Sequence, residues 1–323
     1  MTDERPVCWV LSDGKAGTEN QCLGLAEALG VPFEVHRMRR RPMTDWLPAG
    51  FWATTGTLAR TLAATAPDLR PPWPKLLIAA GRPSVGPALA LRRAAQGSMF
   101  VIQLQDPRIA PTHFDLVVPP EHDGVTGPNV LPTVGALHRV TPAKLAEAAG
   151  DGATRFAALP PPRIAVLVGG TSKHHRMTPA VARAFGAHLR TLCETSGGGL
   201  MITASRRTDA ASQAVLRETL SDLPVDFWDG SGDNPYLAML ATAEGIVVTE
   251  DSVTMACEAA ATGKPLFVAK MEGHSNKFAR FHQALQQRGI SRPFEGVWQT
   301  WSYPPLQETA RVAAEIRRRL ALP

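Results

Sequence analysis

Chemically useful residues are most concentrated in the stretch GIVVTEDSVTMACEAAATGKPLFVAKMEG, residues 245–273. An apolar run, 246–249, passes through Glu250-Asp251-Ser252 into a short helical pattern, 253–261; Gly263 stops it, and a second apolar run, 265–269, follows. A helix that starts where a strand ends presents free N–H groups and a partial positive charge, which suits a phosphate. Ser252 and Thr254 add hydroxyls there. Glu258 lies about two turns into the helix, on the face of Ser252 and Met255 by the 3.6-residue period. A carboxylate beside a phosphate needs another partner, and a ribose diol is the usual one. The plainer assignment makes Asp251 or Ser252 an N-cap and Glu258 a solvated helix residue.

Two other apolar runs in the second half end in similar residues. Gly169-Gly170-Thr171-Ser172-Lys173 follows one. Glycines let a backbone approach phosphate closely, and hydroxyls and Lys173 can bond its oxygens. This is not the GxxxxGK[ST] pattern, and a plain strand-to-helix turn is the alternative. Ser205-Arg206-Arg207-Thr208 follows another, and an arginine at such an edge could clamp a diphosphate in bidentate fashion, although a solvated arginine pair is the commoner case. Three strand ends of one half offering phosphate-type donors is the signal; one alone would not be.

In the first half the most polar turn is Asp13-Gly14-Lys15-Ala16-Gly17-Thr18-Glu19-Asn20-Gln21. Gly14 and Gly17 allow positive φ, and Thr18 could cap the helix behind them. Asp13 or Glu19 could act as a general base toward a hydroxyl if desolvation raises its pKa. Gly81–Ser84, with Arg82, and Gln105–Arg108, with Asp106, end neighbouring strands and are expected at the same sheet edge, although Asp106 before a proline could only start a turn. GxSxG, HExxH and GxGxxG are absent, which removes support for serine hydrolase, zincin and simple dinucleotide readings.

The elements that must hold these turns alternate. Strands are predicted at 7–11, 33–37, 76–79, 99–104, 116–118 and 130–133, with helices at 22–29, 53–64 and 85–95; a loop with Trp46 and Trp52, 42–52, reads as an exposed patch or lid. A helix and connector, 141–159, end in Pro160-Pro161-Pro162, a stiff run suited to a boundary. Strands follow at 164–168, 200–203, 225–228 and 246–249, with helices at 179–195 and 209–220 and a further one opened by Asn234-Pro235. Such alternation predicts an α/β fold of two Rossmann-like domains with covered parallel sheets facing a cleft. The expected domains are 1–150, 151–300 and a C-terminal basic amphipathic helix, 301–323, crossing back to the first.

The chain has 323 residues, 44% hydrophobic and 20% charged, with net charge +5, which is enough for two folded cores. Without an aromatic-interleaved basic strand or a zinc motif, nucleic acid is not an expected partner; anionic small molecules or a membrane surface suit the charge equally. Cys8, Cys22, Cys193 and Cys257 show no CxxC spacing, so no metal site is expected and buried reduced thiols are. The N-terminus starts acidic and lacks a long apolar core, so no secretory signal is expected.

Val248-Thr249-Glu250-Asp251-Ser252-Val253-Thr254-Met255, Glu258-Ala259 and Thr262-Gly263-Lys264-Pro265 resemble the signature of the family named for mitochondrial fission (elongated-mitochondria) proteins. Asp13-Gly14, Gly17, Glu19-Asn20-Gln21, Gly81-Arg82 and Gln105-Asp106-Pro107 look like its other motifs, so the similarity covers nearly the whole chain. Bacterial members are often labelled nucleoside-diphosphate-sugar epimerases. More distantly, the second half resembles the donor domain of GT-B glycosyltransferases, notably the peptidoglycan enzyme that adds N-acetylglucosamine to a lipid-linked muramyl peptide. That resemblance implies Glu258 on the ribose, Gly169–Thr171 on the diphosphate, Asn276 and Lys277 with nearby His274 on the sugar, and Phe227–Asp229 beside the base. The transferase's glycine-rich turn carries a histidine where this chain has Glu19-Asn20.

The implied activity is metal-independent glycosyl transfer from a nucleotide sugar, a UDP-sugar, with Ser205 and Arg206 assisting at the diphosphate. Gly14, Lys15, Gly17, Arg82 and Asp106 then form the acceptor side, and the acceptor is lipid-linked or at a membrane surface. No separate cofactor is implied. The expected location is the cytoplasm, or peripheral to the inner membrane. Epimerisation of a nucleotide sugar and a non-catalytic binding or adaptor role are the alternatives.

Overall fold

The computed structural model describes residues 7–39, 66 and 68–321. The expected helix over 53–64 and the Trp46–Trp52 loop lie outside these residues. The chain divides into two compact units, Met1–Arg139 with Gln307–Pro323, and Val140–Leu306.

In the first unit β1 (Cys8–Ser12), α1 (Ala16–Leu29), β2 (Phe33–Arg37), β3 (Leu76–Ala80), α2 (Val85–Ala94), β4 (Phe100–Leu104) and β5 (Leu116–Val118) follow in turn. All described strands of this sheet pair in parallel, in the order β2-β1-β3-β4-β5. Side chains alternate between faces. Trp9, Leu11, Leu77 and Ala79 therefore join Val85 and Leu89 on one side, while Cys8, Val10, Ile78 and Ile102 join Leu25 and Leu29 on the other. Burial on both faces is why the strands read as continuous apolar runs. The C-terminal helix (Glu308–Leu320) belongs to this unit. Its Val312, Ala313 and Ile316 pack into the same core as Leu25 and Leu29. Arg317 Nη2 donates to Ala28 O at 2.7 Å, near the end of α1.

Two local expectations change. Helix α1 begins at Ala16, six residues before Cys22, so Gly17 and Thr18 are helical and Lys15 is the N-cap residue, with no side-chain cap bond. Asp13 Oδ1 instead accepts Lys15 N–H (3.1 Å), and only Gly14 has positive φ, +76°. Residues 130–133 make two isolated parallel bridges, Val117 to Val130 and Pro120 to Thr133, instead of a strand. Pro119, Pro120 and Pro132 have no N–H to give to a ladder.

The second unit begins with α3 (Pro142–Arg155). It continues through β6 (Arg163–Val168), β7 (His175–Arg176), α4 (Pro179–Ser196), β8 (Gly199–Ala204), α5 (Ala210–Thr219) and β9 (Val225–Phe227). Then come α6 (Tyr236–Thr242), β10 (Gly245–Thr249), α7 (Val253–Ala260), β11 (Leu266–Ala269), β12 (Glu272–Gly273), α8 (Asn276–Gln287) and β13 (Ser291–Pro293). Six strands form a parallel sheet in the order β13-β11-β10-β6-β8-β9, and β7 and β12 form a separate antiparallel pair. Thr141, Thr178, Asp209 and Ser252 each cap a helix through a side-chain oxygen. The Pro160–Pro162 run lies within this unit, because α3 packs on α6. No described helix is long and apolar enough to cross a membrane.

The α3–α6 contact depends on Gly152, where an added Cβ would lie 2.5 Å from Thr242 Cγ2 and 2.9 Å from the backbone oxygen of Ala238. Gly152→Ala should therefore cost about 1–3 kcal/mol by overpacking, despite alanine's better helix propensity. Urea denaturation of the full chain tests this; a variant as stable as wild type would contradict it.

Candidate functional site

Strand order reverses between β6 and β10, with β8 and β9 on one side and β11 and β13 on the other. Ligands of open α/β sheets collect at such a switch point, beyond the carboxyl ends of the strands. The two turns there are tied together. Thr249 Oγ1 accepts Gly169 N–H (2.7 Å) and donates to Asp251 Oδ1 (2.7 Å). Asp251 Oδ2 accepts Gly170 N–H (3.0 Å) and Arg207 Nη2 (2.7 Å). Arg207 Nη1 reaches Gly170 O (3.3 Å), and Thr208 Oγ1 donates to Gly169 O. The Asp251 side chain is fully buried, so this charge stands only because donors surround it. The closeness dictates the glycines. A Cβ on Gly169 would sit 2.0 Å from Asp251 Oδ1, and one on Gly170 would sit 2.2 Å from Arg207 backbone.

These bonds engage the N–H groups of Gly169 and Gly170, and Thr171 N–H bonds Arg207 O (3.1 Å). The glycine turn thus offers close approach and shape, not backbone donors. Donors remain at α7. Ser252 Oγ takes Met255 N–H (3.3 Å), whereas the N–H groups of Val253 and Thr254 have no acceptor among the described residues. Ser205 Oγ accepts Arg207 N–H (3.2 Å) and lies 3.4 Å from Thr208 Oγ1; Arg206 is exposed beside them.

Glu258 sits on the same helix, half-buried, and its Oε2 accepts the Tyr236 hydroxyl at 2.5 Å. Burial pushes its carboxyl up to about 7, against the pull of the tyrosine bond. Burial also raises the Tyr236 hydroxyl well above its usual range. Lys264 Nζ donates to Leu240 O (2.7 Å) and Ala241 O (2.6 Å) at the end of α6, and burial lowers its pKa to about 8. Asn276 and Lys277 open α8; Asn276 Oδ1 lies 2.8 Å from His274 Nε2.

The first unit has its own reversal, between β1 and β3. Ser12 Oγ donates to Glu19 Oε2 (2.5 Å) and accepts Gly14 N–H (3.0 Å). Arg37 grips Glu19 at both oxygens, Nε to Oε2 at 3.1 Å and Nη2 to Oε1 at 2.7 Å. The Arg37 and Ser12 bonds hold the Glu19 carboxyl below its usual range, which makes it a poor base. Asp13 is buried, with Lys15 Nζ 3.1 Å from Oδ2. Gly81, at φ +77°, faces Thr18, and Gln105 Nε2 donates to Gln21 Oε1 (3.3 Å), so three strand ends meet here. Among the described residues Asp106 bonds only within its turn, to Arg108 N–H (2.8 Å) and Nε (3.0 Å). Arg82 is exposed at the start of the turn before α2, and Gly17 faces open space.

A family model described as "Mitochondrial fission ELM1" matches residues 16–320. The chain belongs to the mitochondrial fission ELM1 family. The Arabidopsis thaliana "Mitochondrial fission protein ELM1" is 31% identical over 388 residues, covering 97% of this chain and 90% of the relative. Among solved structures, a Methanocaldococcus jannaschii UDP-GlcNAc 2-epimerase in complex with UDP-GlcNAc and UDP matches with TM-score 0.57 at 11% identity, covering 98% of this chain and all (100%) of that one. Os79 from O. sativa, in complex with U2F and trichothecene, matches with TM-score 0.54 at 12% identity over 96% and 90% of the two chains. The fold of this ELM1-family chain is accordingly GT-B-like, two Rossmann-like units with parallel sheets.

The sequence alone points to no site role for Arg37, Thr249 or Tyr236. Parallel register places Arg37 opposite Ser12, a signal available once the strands are paired. Tyr236 is the first residue of the Asn234-Pro235 helix, and its reach to Glu258 spans 22 residues.

Asp251→Asn turns an oxygen that accepts into a group that donates, or else breaks the Thr249 bond. It should cost about 2–4 kcal/mol in chemical denaturation, mostly from buried donors left unmatched. Arg207→Ala, at a half-exposed partner, should cost less. Equal stability of Asp251→Asn and wild type would refute the role given to this carboxylate.

Proposed function

We propose that this ELM1-family chain binds a nucleotide sugar, a UDP-sugar, in its second unit and transfers the sugar to an acceptor hydroxyl. The observation that carries this reading is the start of α7. Unengaged N–H groups of Val253 and Thr254 stand at the β6–β10 switch point, with Glu258 on the same helix. Gly169, Gly170 and Thr171 give the diphosphate a floor it can approach closely. Ser252, Thr254, Ser205 and Arg206 surround its charge. Glu258 releases Tyr236 and accepts the ribose hydroxyls. Asn276 and Lys277 meet the sugar. As the bond from the sugar's anomeric carbon to the diphosphate breaks, the charge left on UDP is met by the helix dipole. The acceptor oxygen bonds that carbon and yields its proton to a general base, the role proposed for Asp13. Glu19 serves there by holding Ser12 and Arg37. Gly14, Lys15, Gly17, Arg82 and Asp106 shape the acceptor side, and the basic balance suits an acceptor at an anionic surface of the inner membrane.

The solved epimerases that share the fold favour a second reading, epimerisation of a bound nucleotide sugar. Proton NMR of a UDP-sugar incubated with the protein and no acceptor separates the two, because a new sugar isomer appears only for the epimerase.

Isothermal titration with UDP tests the donor reading. Glu258→Gln should weaken binding at least about tenfold, through loss of charge-assisted bonds to two hydroxyls. No binding of UDP at millimolar concentration would contradict the reading.

Glu258 also sets a pH dependence. Its carboxyl must ionise to accept both ribose hydroxyls, so affinity should rise as pH passes about 7 and be flat in Glu258→Gln. Stability should move the other way. A carboxyl raised to about 7 binds a proton more tightly in the folded chain than in the unfolded one. Its contribution is therefore full at about pH 4.5 and declines toward pH 7, by about 1–3 kcal/mol. Glu258→Gln should gain relative stability at pH 8 and not at pH 4.5, as read by thermal unfolding; an equal offset at both would contradict it.

A further inference from the structure

Three polar atoms of Glu250 are engaged. Its N–H donates to Ala269 O (3.0 Å), its Oε1 accepts Met271 N–H (2.6 Å), and its carbonyl lies 2.8 Å from His282 Nε2. A carbonyl oxygen can only accept, so Nε2 must carry the hydrogen. The neutral ring then has a bare Nδ1, which is buried with no hydrogen-bond partner among the described residues. His282 is 7% exposed and stands on α8, the helix that opens with Asn276 and Lys277. One turn earlier Phe278 stacks on His175, ring centroids 5.3 Å apart and planes 13° apart. His175 is itself buried, its Nδ1 also unpartnered, and is held by the pairing of β7 with Gly273 of β12.

We infer that His282 is a positioning residue. Its Nε2–H holds the carbonyl of Glu250 and so couples the middle of α8 to the Glu250–Ser252 turn that shapes the anion site. The inference rests on the nucleotide-sugar reading above and names what keeps the diphosphate and sugar contacts of that site in register. Glu250 precedes Asp251, which anchors Gly170 and Arg207, so slack at Glu250 reaches both. The coupling works with an uncharged ring, because protonation would place a second N–H at Nδ1, where no acceptor stands. The titratable groups set against the ring are Glu250 and Asp251 from the β10–α7 turn and His175 from β7. Burial, aided by His175, lowers its pKa; the Glu250 carbonyl bond and the charges of Glu250 and Asp251 oppose this without overcoming it. The unfolded chain thus binds the proton more readily. This contribution to stability is present above the ordinary histidine range and is lost as pH falls through the lowered value.

The test is amide hydrogen exchange, read by NMR on the free full-length protein, at Met271 and Gly170, with Ile202 in β8 as the reference for global opening. At pH 7, His282→Ala should raise exchange at Met271 and Gly170 by about tenfold over Ile202. His282→Gln, whose amide nitrogen can donate to the same carbonyl, should stay close to wild type. Between pH 7 and pH 5, wild type should lose protection at these two amides after correction for intrinsic rates, and His282→Gln should not. Unchanged protection in His282→Ala, or a wild-type pH dependence that persists in His282→Gln, would overturn the inference. UDP titration of the same samples keeps the two readings apart. The expected exchange pattern without UDP binding would overturn the nucleotide reading alone; UDP binding with unchanged exchange in His282→Ala would overturn the coupling alone.

Discussion

The second unit is organised around one buried carboxylate. The Asp251 side chain is fully buried, and a charge in that position is tolerated only where donors replace its hydration. Thr249, Gly170 and Arg207 supply them from the ends of β10, β6 and β8. The same closeness excludes any side chain at Gly169. The shape of the glycine turn, the placing of Arg207 and the path of the chain into α7 all follow from satisfying this one charge. What it leaves over is a set of donors: the glycine N–H groups are engaged inward, and among the described residues those of Val253 and Thr254 at the start of α7 have no acceptor.

Around that anchor α3, α4, α5 and α7 are each capped by a side-chain oxygen, and Glu258 is where ordinary stability rules are relaxed. Glu258 is held at a raised pKa against a tyrosine, a destabilising arrangement at neutral pH. Groups with pKa values shifted by burial and a specific partner are common where ligands bind. Glu19, by contrast, is engaged at both carboxylate oxygens by Arg37 and Ser12, which hold it below its usual range.

The sequence made the architecture legible because both sheets are parallel and covered. Continuous apolar strands such as Leu76–Ala80, and glycines that close helices at positions 30, 197 and 263, with φ of +69°, +69° and +73°, carry that information locally. Family membership was legible for the same reason, in short motifs at strand ends. What failed was set at a distance or by a missing group. The first turn of α1 lacks a side-chain cap to announce it, and the prolines after β5 break a ladder that hydrophobicity alone would extend. Asp251 looks like an N-cap candidate in its own segment, yet two of its three partners are 81 and 44 residues away. Nothing in the adjacent pair Arg206-Arg207 says which will turn inward; pairing of β8 with β6 and the reach to Asp251 settle it for Arg207.

The central claim is that the start of α7 and the turns pinned to Asp251 form one anion-binding surface. Backbone amide shifts followed during titration with UDP address it directly. The account predicts that Val253, Thr254 and Gly170, with Tyr236 beside Glu258, shift together along one saturation curve. Shifts confined to the Ser12–Lys15 turn of the first unit, or a spectrum that UDP leaves unchanged, would contradict it.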